Sequence, residues 1–305
     1  MRTIRLGTRG SRLALIQAHW VKDRLERAQS VQVEIVKIKT QGDRLQSSSL
    51  ALGDDTGLFT KGIEEALLRG DVDLAVHSLK DLPTVQPSGL TVAAVPQRLD
   101  AHDALVSRDR LTLESLGAGI RVGTSSVRRR AQLLAMNRDI EVVDLRGNLD
   151  TRLKRLFDGD FDAIVVAMAG LIRMQRGDFA AAPIPFDDML PAAGQGALAI
   201  ETRQADEELM KVVAELNHAA SAATTAAERM VLHRLGAGCQ VPIGVLGEVL
   251  NDGGLRLRCA VYSKDGHDVA QAGSIGGDPA DVVDELVKKL WDQGAADLVA
   301  AAREG

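Results

Sequence analysis

Apolar positions along this chain switch repeatedly between a period of two and a period of three to four, and the alternation predicts an α/β fold. Residues 3–7 (TIRLG) read as a short strand. From the N-cap Ser11, residues Leu13, Ile16, Trp20, Val21, Leu25 and Ala28 keep helical spacing. A second strand spans residues 31–40 and leads to Gly42-Asp43, and residues 44–56 are polar, serine-rich and aperiodic, the composition of a mobile loop or lid. A helix over residues 57–69 stops at Gly70, and residues 71–84 form a strand running into Lys80-Asp81 and a proline.

The same order returns from Ile120. IRVGTSS echoes IRLGTRGS, the strand of residues 140–148 echoes the strand ending at Gly42-Asp43, and DFDAIVVAMAG echoes DVDLAVHSLKD. Three matches in register predict two lobes of one architecture, each with a largely parallel sheet. Residues 95–101 lead out of the first lobe, and residues 189–202 follow the second and return a strand to the first; two crossings make a hinge. Helical stretches follow at residues 206–217 and 221–235, the second ending at Gly236. Strands at residues 245–250, 255–262 and 268–275, and a helix opened by Asp278-Pro279 with Val282, Val283, Leu286 and Leu290 inward, complete a small α+β region. The expected division is residues 1–96 with 197–216, residues 97–196, and residues 217–305.

The 305 residues carry a net charge of −5, with 45% hydrophobic and 26% charged residues. That balance fits a globular chain and argues against a general nucleic-acid binder. No apolar run is long enough to cross a bilayer, and the N-terminus enters a strand pattern without a signal-peptide region. Two cysteines form no disulfide framework, which points to a reducing cytoplasm, and the six histidines lack ligand spacing, so no metal site is expected.

Ligands of open α/β sheets bind beyond the carboxyl ends of the strands, where the lobes place Gly7-Thr8-Arg9-Gly10-Ser11 and Gly123-Thr124-Ser125-Ser126 at a helix start. Arg9, Arg128, Arg129, Arg146, Arg152 and Arg173 lie at those ends. Each alone reads as a solvated surface charge; together they predict a cleft for a small polyanion, a polycarboxylate more than a nucleotide, since no P-loop or GxGxxG is present. Asp81 is the one acid in this basic company, either a salt-bridge partner or a carboxylate placed to steady a cation or move a proton. Cys239 sits between Gly238 and Gln240 in GAGCQVPIG, either filling a tight turn or meeting a ligand. Cys259 alternates with Leu255, Leu257 and Val261 and reads as core. A two-lobed binding module for a small polycarboxylate and an unrelated thiol enzyme both fit these residues.

The motifs TRGSRLAL, GLFTK, AVHSLKDLPT, VGTSSVRRRAQL, LRGNLDTRL, AGLIR, LPAAGQGALAIE and GAGCQVPIG, in this order across nearly the whole chain, resemble the porphobilinogen deaminase family. The resemblance implies two lobes like type II periplasmic binding proteins plus a small α+β C-terminal domain, in a cytoplasmic monomer. It implies a dipyrromethane cofactor attached through Cys239, and head-to-tail joining of four porphobilinogen molecules with loss of ammonia before hydrolysis frees 1-hydroxymethylbilane. It assigns Asp81 to catalysis. Ser78, Lys80, Thr124, Ser126, Arg128, Arg129 and Arg152 match cofactor-holding positions, and Arg9, Ser11, Gln17, Arg146, Arg173 and Gln195 match substrate-binding ones. One departure stands out: family members commonly show Gly-Gly-Lys-Gly before Leu-Phe, whereas this chain has Asp54, Asp55 and Thr56 ahead of Gly57.

Overall fold

The computed structural model describes residues 2–29, 31–40, 59–176, 180–238 and 240–304. The proposed lid (44–56), the Asp54-Asp55-Thr56 departure and Cys239 lie outside the described residues. The chain divides into two compact units, Met1–Leu99 with Gly196–Ala223, and Asp100–Gln195 with Thr224–Gly305.

In the first unit, β1 (Arg2–Thr8), β2 (Val31–Lys37), β3 (Leu74–Ser78), β4 (Leu90–Ala94) and β10 (Leu198–Arg203) form a sheet in the order β2-β1-β3-β10-β4. β1 runs parallel to β2 and β3, while β10 is antiparallel to β3 and β4. The return of a strand from residues 189–202 to the first sheet is therefore observed as β10. Alternation along β3 serves both faces of the sheet. Val76 packs with Ala18, Val21 and Leu25 of α1 (Arg12–Ala28), and Ala75 packs with Ile63, Ala66 and Leu67 of α2 (Lys61–Arg69).

In the second unit, β5 (Asp103–Ser107), β6 (Arg121–Gly123), β7 (Glu141–Val143), β8 (Ala163–Ala167) and β9 (Ala180–Pro183) take the order β7-β6-β8-β5-β9. Here too one strand, β5, is antiparallel to its neighbours β8 and β9 while β6 is parallel to β7 and β8. Matching β6 to β1, β7 to β2, β8 to β3, β9 to β4 and β5 to β10 superposes the two strand orders, so the repeat read from the sequence is a repeat of topology. Helices α3 (Val127–Met136), α4 (Leu149–Phe157) and α5 (Met168–Arg173) follow β6, β7 and β8. β7 is shorter than the strand expected over 140–148, because the chain leaves it for a turn in which Gly147 has φ 114°.

After β10 come α6 (Glu207–Ala214), capped by the Asp206 side chain on the Leu209 N–H, and α7 (Ala219–Arg234). The antiparallel sheet β11 (Ile243–Val249), β12 (Leu255–Tyr262) and β13 (Val269–Gly276) carries α8 (Pro279–Trp291) and α9 (Ala295–Glu304). Val282, Val283, Leu286 and Leu290 of α8 are buried against Leu255, Leu257, Cys259 and Val261, as their spacing predicts. Each such side chain contributes roughly 1.5–3 kcal/mol by leaving water. Cys259 is a core thiol with no exposed surface, and burial pushes its pKa up. Gly236 ends the last turn of α7 at φ 60°, a left-handed conformation that glycine adopts without a Cβ penalty.

Candidate active site

The first unit builds its pocket at the carboxyl ends of β1 and β3. Beyond β1, Ser11 takes an extended conformation and accepts from the Ala14 N–H at 3.4 Å, so α1 starts over the strand end. One turn in, buried Gln17 donates from Nε2 to Ser78 Oγ at 3.0 Å, tying the helix to the last residue of β3. There the chain turns sharply through a single 3-10 turn, Leu79–Asp81, held by the Leu79 N–H on the Ala197 carbonyl at 3.0 Å and the Leu82 N–H on the Leu79 carbonyl at 3.1 Å. The turn leaves Asp81 exposed and Lys80 half-buried. Asp81 shares a pocket of about 80 Å³ with Arg9, Ser11, Gln17, Phe59 and Ser78. The Arg9 guanidinium lies 4.0 Å from the centre of the Phe59 ring, a cation–π contact that orients it. One acid, one guanidinium, the hydroxyl residues Ser11, Thr60 and Ser78, an amide and the imidazole of His77 thus line a space that suits a ligand bearing both a carboxylate and a group able to carry positive charge.

His77, in the wall of this pocket, belongs to a buried polar group that spacing along the chain does not reveal. His77 Nε2 stands 3.2 Å from Glu201 Oε2 of β10, and Glu64 of α2 is also buried. Burial raises the Glu64 carboxyl, and the charge of Glu201 adds to the rise. His77 sits one residue before Ser78 in a strand that otherwise reads as core, and its partner is more than a hundred residues away, so spacing alone carries no sign of it.

The second unit repeats the strand-end arrangement at α3. The Thr124 N–H donates to the Val143 carbonyl at 2.9 Å, Thr124 Oγ1 accepts from the Ser126 N–H at 3.2 Å, and Ser126 Oγ accepts from the Arg129 N–H at 3.4 Å. Arg128 and Arg129 turn inward. Arg128 Nη1 donates to Asp103 Oδ2 and to the Leu190 carbonyl, both at 2.6 Å. Arg129 donates from Nε and Nη2 to Asp103 Oδ1 at 2.9 and 2.7 Å, and from Nη1 to the Val165 carbonyl at 3.0 Å. Gln195 Nε2 reaches Asp103 Oδ1 and the Ala101 carbonyl, both at 2.9 Å. Burial alone would raise the Asp103 carboxyl, but the two guanidinium groups outweigh it and hold it far below the usual range. Asp103 was not singled out from the sequence, although it gathers three residues that were.

The other arginines sit on adjoining elements. Asn148 caps α4, and Arg152 Nε donates to the Gly147 carbonyl at 2.8 Å. Arg146, in the turn before it, is exposed. Arg173 ends α5, half-buried, with its pKa lowered to about 10 by burial. Next to Cys239, the Gly238 carbonyl accepts from the Val241 N–H at 3.1 Å.

Comparison with known proteins places these residues in a wider set. A family model described as "Porphobilinogen deaminase, dipyromethane cofactor binding domain" matches residues 4–211, and one described as "Porphobilinogen deaminase, C-terminal domain" matches residues 222–292. The porphobilinogen deaminase of Pelotomaculum thermopropionicum is 46% identical over 306 residues, 99% of this chain and 98% of that one. That of Deinococcus radiodurans is 46% identical over 310 residues, covering both chains completely. Among solved structures, a TRAP periplasmic solute binding protein from Desulfovibrio salexigens aligns with a TM-score of 0.43 at 14% identity over 71% of this chain and 72% of that one.

Proposed function

Because the chain belongs to the porphobilinogen deaminase family, we propose that it is a transferase joining four porphobilinogen molecules head to tail, with release of ammonia and final hydrolysis to 1-hydroxymethylbilane. The observation that carries the reading at the level of residues is Asp81, set in one pocket with Arg9, Ser11, Gln17 and Ser78. Porphobilinogen bears acetate and propionate groups on a pyrrole whose aminomethyl carbon becomes electron-poor as ammonia leaves. Arg9 and Ser11 suit the carboxylates. The Asp81 carboxylate suits the pyrrole N–H, where it steadies positive charge on the ring and takes or returns a proton. A fixed opposite charge of this kind, aimed at charge that develops during the reaction, is a large catalytic contribution.

The second unit has the donors that a dipyrromethane requires. Arg128 and Arg129 outnumber Asp103 by one positive charge, all three are buried, and Thr124 and Ser126 stand at the start of α3. A buried excess of positive charge is favourable only next to an anion. When bound, the dipyrromethane supplies the tethered chain end to which porphobilinogen is added. We assign its attachment to Cys239, its carboxylates to Lys80, Ser78, Thr124, Ser126, Arg128, Arg129 and Arg152, and the incoming or growing chain to Arg146, Arg173 and Gln195 along with Arg9, Ser11 and Gln17. The three-part division at residues 1–96 with 197–216, 97–196 and 217–305 belongs to the same reading, as does a cytoplasmic monomer that binds neither nucleic acid nor membrane.

The test is the intact mass of protein purified from cells with a normal precursor supply, combined with an assay of porphobilinogen consumption. A dipyrrole adduct that disappears in Cys239→Ser, together with turnover in the parent, is the expected result. Saturable binding of porphobilinogen by adduct-free protein, with no consumption, would replace the transferase with a binding module.

A further inference from the structure

Asp103 opens β5, a strand whose five residues are all buried, and has no exposed surface itself. Its two oxygens take four hydrogen bonds, from Arg128 Nη1, Arg129 Nε, Arg129 Nη2 and Gln195 Nε2, at 2.6–2.9 Å. The same three residues also reach the backbone: Arg128 Nη1 the Leu190 carbonyl, Arg129 Nη1 that of Val165 and Gln195 Nε2 that of Ala101. One carboxylate therefore holds two adjacent guanidinium groups in fixed orientation while anchoring Ala101 and Gln195, the ends of the two segments by which the chain enters and leaves this part of the unit.

The charge count says what that does. Arg128 and Arg129 are 5% and 4% exposed, so without Asp103 two like charges would face each other out of reach of water. They would separate or draw in solvent, and the fork geometry that makes arginine selective for carboxylates would be lost. With Asp103 in place the pair is held together and still carries a net charge of plus one.

We propose that Asp103 is the positioning residue of the second unit, fixing Arg128 and Arg129 so that their remaining positive charge meets a carboxylate of the tethered dipyrrole. This rests on the function proposed above for the arginine pair. Asp103→Asn keeps the shape and removes the charge. The fraction of purified protein carrying the dipyrrole adduct is expected to fall about tenfold, and KM for porphobilinogen in the loaded fraction to rise about tenfold, with kcat changing much less, the lower end of what loss of an outer hydrogen-bond partner costs at metal sites. Leu286→Ala, in the core of the C-terminal sheet, serves as the control for lost stability and keeps the adduct and KM of the parent.

Parent-level adduct and KM in Asp103→Asn would overturn the proposal, as would losses no greater than those of Leu286→Ala at the same thermal midpoint. Should Asp103→Asn fail to accumulate as folded protein, the comparison moves to Arg129→Gln with and without Asp103→Asn, since the double variant restores the buried net charge of the parent. Less adduct in the double variant than in Arg129→Gln alone supports the proposal, and equal adduct overturns it. A parent protein without adduct sinks the proposed function itself, and the two failures are told apart by that one measurement.

Discussion

The turn between β7 and α4 makes a sharp quantitative test. Gly147 has φ 114°, and a Cβ there would lie 2.8 Å from Thr151 Cγ2 and 3.0 Å from Thr151 Cβ. Thr151 cannot easily move, because Asn148 Oδ1 accepts from both its N–H and its Oγ1 at 2.9 Å. Gly147→Ala therefore incurs backbone strain of about 1–3 kcal/mol and overpacking of about 1–3 kcal/mol, the second partly relieved if Thr151 rotates and gives up its Oγ1 bond. A net loss of about 2–4 kcal/mol corresponds to a fall in Tm of about 4–16 °C for a unit of this size. The Gly147 carbonyl also holds Arg152, so the fraction of protein carrying the dipyrrole adduct should fall as well. Melting curves of Gly147→Ala, Thr151→Ala and the double variant separate the two causes. The double variant should recover part of the loss relative to Thr151→Ala, because the Cγ2 contact is removed while the strained φ and the 3.0 Å approach to the Cβ of residue 151 remain. A Tm for Gly147→Ala within about 1 °C of the parent would refute the strain argument, and complete recovery in the double variant would leave the contact as the whole effect.

Three further outcomes follow from the charges. The Glu64 carboxyl has a raised pKa in the fold, so stability is lost as pH rises from the unfolded value, near 4.3, towards the folded one; Glu64→Gln should raise Tm at pH 7, a gain that disappears below about pH 4. Asp103 has the opposite sign: its contribution is fully present above the unfolded carboxylate pKa, near 3.9, and is lost as pH falls below it, so the fall in Tm of the parent below about pH 4 should flatten in Asp103→Asn. Asp81→Asn is expected to keep the parent Tm, since Asp81 is exposed at the turn, while losing almost all turnover; a rate like the parent's would remove it from the mechanism.

Much of the fold is legible from spacing because its helices are amphipathic and their ends carry strong local signals. Ser11 caps α1, Gly236 turns the end of α7 left-handed, and Asp278-Pro279 opens α8 where the sequence places them. The strand-end rule also brings Arg9, Ser11 and Asp81 into view as a group, while Gln17 and Ser78 enter only through the family resemblance. What it misses is non-local. β4, β5, β9, α5 and α9 leave no such signal, and β5 shows why: all five of its residues are buried, so nothing alternates. The roles of Asp103 and of His77 with Glu201 depend on partners tens to more than a hundred residues away, and no local pattern records a pairing of that kind. Arg128 and Arg129 read as ligand-facing charges in the sequence; in the structure their first partner is a carboxylate of the protein.

The place of β10 in the first sheet has a consequence during synthesis. β3 is complete at Ser78, yet the strand that covers its second edge begins only at Leu198. At about 5–20 residues per second a ribosome needs roughly 6–24 s to deliver the intervening stretch of about 120 residues. For all that time the nascent chain holds an open row of backbone donors and acceptors beside an apolar strand, the condition under which strands pair with the wrong neighbour. A chain released before Leu198 would keep that edge permanently, so premature termination in the middle of this protein should yield insoluble fragments rather than a working half.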